Sequence, residues 1–134
     1  MAITTAMLCD FAQVREGLLF VSSGGVTRCY RDELPAPMGV YLAVVLELDR
    51  IEAEQGHVVR VVVVDEDGGE IAEISGEIQL GTPELFVNEN VNLPIAFDLR
   101  NVPVERYGAI EARLYVDGEL RRTLPLWVLQ TPTD

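Results

Sequence analysis

At 134 residues, 49% of them hydrophobic, the chain has the size and apolar content of one folded domain and is too apolar for disorder. Its net charge of −12, from 22 acids against 10 bases that are all Arg, repels phosphate backbones and anionic lipid, so neither nucleic acid nor a membrane is an expected partner. No apolar run approaches the roughly 20 residues that cross a bilayer, and Met1-Ala-Ile-Thr-Thr5 lacks the basic and apolar regions of a leader, which points to the cytoplasm.

A first strand is expected at Ile3 to Cys9. Asp10 to Gly17 then reads as a turn of helix, with Asp10 as N-cap, Gln13 as its capping-box partner and Gly17 as the stop. Leu18 to Ser22 is a second strand, Ser23-Gly24-Gly25 a turn or bulge, and Val26 to Tyr30 a continuation or a return. Leu34-Pro-Ala-Pro37 is a rigid extended linker. Val40 to Leu48 and His57 to Asp65 are strong strands, separated by a polar loop with a helical turn at Asp49 to Gly56. Asp65-Glu-Asp-Gly-Gly69 is a hairpin turn into a return strand, Glu70 to Leu80, whose apolar phase slips near Ala72-Glu73 and predicts a bulge.

Gly81-Thr-Pro83 breaks the chain, and Leu85 to Val87 reads as a short edge strand ahead of the polar Asn88-Glu-Asn90. In Val91 to Leu99, Leu93, Ile95, Phe97 and Leu99 share a face, and Pro94, with no N–H to donate, either places the strand at an edge or makes it locally irregular. Asn101-Val-Pro103 turns the chain. The clearest signal comes last. Ile110, Ala112, Leu114 and Val116 alternate with Glu111, Arg113, Tyr115 and Asp117, then Asp117-Gly118 breaks the run and a second one starts at Leu120 to Val128, as in a tight two-residue hairpin. Thr131 to Asp134 is a frayed tail.

This grammar is that of an all-β domain: an antiparallel two-sheet β-sandwich of about eight strands, immunoglobulin-like or jelly-roll-like, with little helix. Tyr107, just before a late strand, resembles the tyrosine corner of immunoglobulin-like sandwiches. Two strands break the alternation. Val58, Val62 and Val64 lie opposite Val59, Val61 and Val63, and Tyr41, Ala43 and Val45 lie opposite Leu42 and Val44. A half-solvated sheet does not look like this. Either a segment of the same chain, such as Phe11 to Val14, covers the second face, or Val58, Val62, Val64 and Tyr41 form an interface with a protein partner or another copy.

Chemistry-bearing constellations are few. Asp65, Asp67 and Glu70 cluster carboxylates around a glycine turn and are the candidate Ca²⁺ ligands, although the EF-hand spacing is missing and a solvated turn needs the same residues. His57 stands alone at a strand start, where a surface or edge position is expected, with no Cys or His at zinc-ligand spacing and no Gly-x-Ser-x-Gly frame around Ser22, Ser23 or Ser75. Cys9 and Cys29 read as reduced, buried thiols. No catalytic residue and no cofactor is expected, and the chain reads as a non-enzymatic interaction module that self-associates, with a Ca²⁺-dependent binding module as the alternative.

Three stretches carry a resemblance: Ala6 through Arg28; His57 with Val59 to Gly68; and Tyr107 with Tyr115-Val-Asp-Gly118. Together they resemble a family of small bacterial and phage-associated proteins of unknown function, over nearly the whole chain. The resemblance implies a compact β-sandwich and brings no catalytic residues with it.

Overall fold

A computed structural model describes residues 1–81 and 84–133. Thr82 and Pro83 of the expected break, and Asp134 of the tail, lie outside the described residues. The strands are β1 (Ala2–Arg15), β2 (Leu18–Gly24), β3 (Arg28–Arg31), β4 (Ala36–Pro37) and β5 (Tyr41–Leu48), then, after the short helix α1 (Arg50–Glu54), β6 (His57–Val64), β7 (Glu70–Ile78), β8 (Val91–Asp98), β9 (Pro103–Val104), β10 (Gly108–Val116) and β11 (Glu119–Gln130). They form a four-stranded sheet in the order β2-β1-β5-β8, a five-stranded sheet in the order β3-β11-β10-β6-β7, and a two-stranded one, β4-β9. No helix among the described residues is long and apolar enough to cross a membrane.

The all-β expectation holds, but its detail differs. The described residues hold eleven strands in three sheets rather than about eight in two. The added ones are short. Two-residue β4 and β9 pair where the Pro-rich Leu34 to Pro37 segment was expected only to link, and the Leu34-Pro35 bond within it is cis. The sheets are also not uniformly antiparallel. The chain leaves β2 at the edge of one large sheet, crosses to the other, and lays β3 parallel to β11, with Cys29 opposite Val128.

The two large sheets share one core. Leu42, Val44 and Leu46 of β5 meet Val59, Val61 and Val63 of β6, Ile110, Ala112, Leu114 and Val116 of β10, and Leu126 and Val128 of β11. Burying each such Val or Leu contributes about 1.5–3 kcal/mol, so this cluster is the main stabilising term. Alternation is followed closely in β10, where every second residue is buried. Asp117 (φ 51°) and Gly118 (φ 81°) both take the left-handed conformation that a type I′ turn requires, so the predicted last hairpin is present. The predicted bulge is present too, one residue early: β7 slips between Glu70 and Ala72 opposite Val64 and Val63. Pro94 lies in β8, which is an edge strand as expected. Asp49 caps α1 through a capping box with Glu52.

The largest departure is at Asp10 to Gly17. These residues form no helix; β1 runs on to Arg15, and Glu16 (φ 52°) and Gly17 (φ 75°) make a second two-residue turn into β2. Six residues between caps are too few for a stable helix, and pairing with Leu18 to Ser22 satisfies the same backbone groups along the strand. Leu85 to Val87, expected as an edge strand, is irregular, with Phe86 and Val87 exposed.

Candidate functional site

The apolar second faces proved to be covered from within. On β5, Tyr41 and Ala43 are buried in a small second cluster with Cys9 and Ala12 of β1, against which Leu19 of β2 and Ala96 of β8 pack. The Phe11 ring meets Tyr41 edge-on at 5.2 Å, and the Arg100 guanidinium lies 4.8 Å from the Tyr41 centroid. Phe11 to Val14 is therefore the cover, as strand rather than helix. On β6, Val62 and Val64 are 7% and 3% exposed. Register sets Glu73 and Arg113 beside Val62, and Glu70 and Glu111 beside Val64, while Arg113 is ion-paired to Glu111 at 3.0 Å. Long charged side chains thus flank the valines, and side chains of this kind cover apolar surface with their stems while their heads stay in water. Of the four expected interface residues, Tyr41, Val62 and Val64 are thus unavailable, and Val58 alone is open, at 44% exposure.

The acidic turn is folded onto the segment before β10. The Asp65 carboxylate accepts N–H bonds from Asp67 at 2.9 Å and Gly69 at 2.8 Å, which hold it below the usual carboxylate range. Arg106 makes ion pairs with Asp65 and Asp67, both at 3.0 Å. Glu66 accepts the Ala109 N–H at 2.7 Å, reaching past Gly108 (φ 125°), where an added Cβ would stand 2.5 Å from its Oε1. Asp65 and Asp67 thus close on a guanidinium, while Glu70 is exposed at the start of β7. No group of three His, Cys, Asp or Glu side chains that could hold an ion exists among the described residues. The adjoining cleft, about 140 Å³, is lined by Val104, Arg106, Tyr107 and Ile110 among others and has room for only a few water-sized molecules. The Tyr107 hydroxyl donates to a backbone carbonyl as a tyrosine corner would, but the acceptor is Arg31, far away in sequence, at 3.2 Å.

His57 is buried, not at the surface as expected. Its Nδ1 lies 2.7 Å from Asp117 Oδ2, and its Nε2 lies 2.6 Å from the Glu52 carbonyl. Both ring nitrogens face oxygens that only accept, so the arrangement calls for the imidazolium, with both nitrogens donating. The Asp117 bond above all raises the His57 pKa, and His57 in turn lowers that of Asp117. The second Asp117 oxygen accepts the Val58 N–H at 2.9 Å. The unit ties α1, β6 and the last turn together. With no nitrogen left to accept a proton, it has the geometry of a fastener rather than of a general base. Cys9 and Cys29 are free thiols, both with pKa values raised chiefly by burial.

Among the apolar surfaces that remain open is the first hairpin. Phe11, Val14, Leu18, Phe20 and Val21 are all exposed, from 38% at Val21 to 63% at Leu18. Beyond Cys9, β1 pairs with β2 alone, because β5 begins at Tyr41 opposite Cys9. The distal half of the hairpin therefore has no further hydrogen-bonded strand on either side, and it leans over β5 and β8, where Leu18 and Leu19 share a cavity with Val45 and Pro94. This surface was missed because Glu is an uncommon residue at positive φ, so Glu16-Gly17 did not read as a turn; the absence of any charge from Leu18 to Gly24 was the signal that could have found it.

These features define an all-β domain with a self-fastened acidic turn and last hairpin and an apolar first hairpin partly in solvent. The chain belongs to the family of unknown function DUF6941, whose model matches residues 4–129. No curated protein matches it.

Proposed function

We propose that this protein is a non-enzymatic interaction module that self-associates through the first hairpin. The observation that carries the reading is the half-exposed apolar surface of the first hairpin, with Phe11, Leu18 and Phe20 on one face and Val14 and Val21 on the other. Large apolar side chains gathered bare on one element mark interaction surfaces, and aromatic residues are those most enriched where proteins dock. The engagement of both His57 nitrogens and of Asp65 and Asp67 supports reading these groups as structural. The common core of the two large sheets supports a sandwich, immunoglobulin-like or jelly-roll-like in kind. Sedimentation velocity over a wide concentration range tests the reading. A concentration-dependent dimer is expected, and a strict monomer at the highest concentration reached rejects it.

A further inference from the structure

The three strands at the outer edges of the large sheets other than β2 carry devices that discourage pairing with another strand. β7 bears Glu70, Glu73 and Glu77; β8 bears Pro94 and ends in Asp98; β3 is four residues long and begins and ends in Arg. Charges, proline and shortness are the usual ways in which an exposed ladder is kept from recruiting a partner. β2 has none of them. Leu18-Leu-Phe-Val-Ser-Ser-Gly24 is seven residues long, without charge or proline, and among the described residues it is paired only with β1. One side of its backbone is left with unpaired N–H and C=O groups, flanked by exposed Leu18, Phe20 and Val21.

Resting on the self-association reading above, we propose that β2 is the pairing edge and that its occupant is β2 of a second copy, antiparallel and centred on Phe20. A two-fold axis there sets Phe20 against its equivalent, Leu19 against Val21 and Leu18 against Ser22, so that aromatic and aliphatic side chains meet across the new pair. Charge selects the same edge. Two copies of net charge −12 repel at long range, so contact is favourable only where no carboxylates oppose one another. In this register the residues paired across the axis, Leu18 to Ser22, carry no charge, whereas self-pairing of β7 brings six Glu into one ladder. The product is a continuous eight-stranded sheet in which β2 is no longer an edge.

Sedimentation velocity on the full chain, with Phe20→Lys, Ser22→Lys and Val58→Lys compared, tests this. Ser22 is already exposed and polar, so its substitution leaves folding intact; circular dichroism checks all three. The expected result is that Phe20→Lys and Ser22→Lys each weaken dimerisation by at least about tenfold, while Val58→Lys, on the other large sheet, changes it by less than about twofold. A dimer that persists in both edge variants overturns the β2 pairing and leaves self-association standing. Loss of the dimer in Val58→Lys alone moves the interface to the five-stranded sheet and also overturns it. A monomeric parent protein overturns both.

Discussion

The two tight hairpins are nearly the same object locally and opposite objects globally. Each turns on two residues of positive φ, Glu16-Gly17 in the first and Asp117-Gly118 in the last. The last lies between β6 and β3, its inner face fills the core, and its turn carboxylate is fastened to His57 and the Val58 N–H. The first leaves the β5 ladder beyond Cys9, leans over β5 and β8, and keeps large apolar side chains in solvent. Turn chemistry therefore decides only that the chain reverses. Whether a hairpin stabilises the fold or offers a surface is decided by what lies beside it.

The sharpest way to break the comparison is to truncate one apolar residue in each hairpin. Leu114, fully buried in β10, should lose about 3–4 kcal/mol on substitution by Ala, seen as a large fall in the urea midpoint. Leu18→Ala, at 63% exposure, should shift it by no more than about 0.5 kcal/mol in monomer conditions. Equal losses would mean that the first hairpin is part of the core.

Next in size is the fastener. His57→Ala should cost about 2–3 kcal/mol, because a buried charge-assisted bond to Asp117 and one to the Glu52 carbonyl are lost together. The raised pKa gives the effect a sign. Below the ordinary His value of 6.5 the ring is charged in both folded and unfolded chains and its full contribution is present; as pH rises through the elevated folded value the contribution is lost. Asp117, with its pKa depressed from 3.8, contributes above that value and stops doing so as pH falls through the lower folded one. Thermal melts should show a decline on the alkaline side of 6.5 that His57→Gln abolishes; an unchanged decline assigns it to other groups.

Gly17→Ala and Gly118→Ala form the next pair. Neither position has a heavy atom within 4 Å of the added Cβ, so the cost is conformational alone, about 1 kcal/mol at each turn. Unequal costs would show that surroundings reach into the turns themselves. The smallest effect is expected from Ca²⁺. With Arg106 on both Asp65 and Asp67, millimolar Ca²⁺ should leave the melting temperature unchanged; a saturable rise would show the carboxylates releasing the guanidinium for the ion.

The legible parts of the fold were those where one local rule sufficed. Alternation in β10, the Asp117-Gly118 turn, the β7 slip and the edge position imposed by Pro94 all rest on residues within a few positions of each other. The site residues were less legible. That both faces of β5 and β6 are apolar was readable, but not what covers them. Tyr41 is covered by Phe11 and Arg100, and Val62 and Val64 are flanked by Arg113, Glu111, Glu73 and Glu70, partners that strand pairing brings in from distant positions. The Asp65 to Glu70 cluster was visible as carboxylates, but Arg106 was not visible as their counter-ion.

Period-two patterning, glycine and proline placement and the charge count were sufficient for a β-rich domain with two apolar-faced central strands, because each depends on backbone sterics and solvation one residue at a time. Strand order, the parallel β3–β11 pair, the buried His57–Asp117 unit and the bare edge of β2 were settled only in three dimensions. Each depends on which distant strand becomes a neighbour, and competing pairings of similar local propensity are separated by the packing of the shared core.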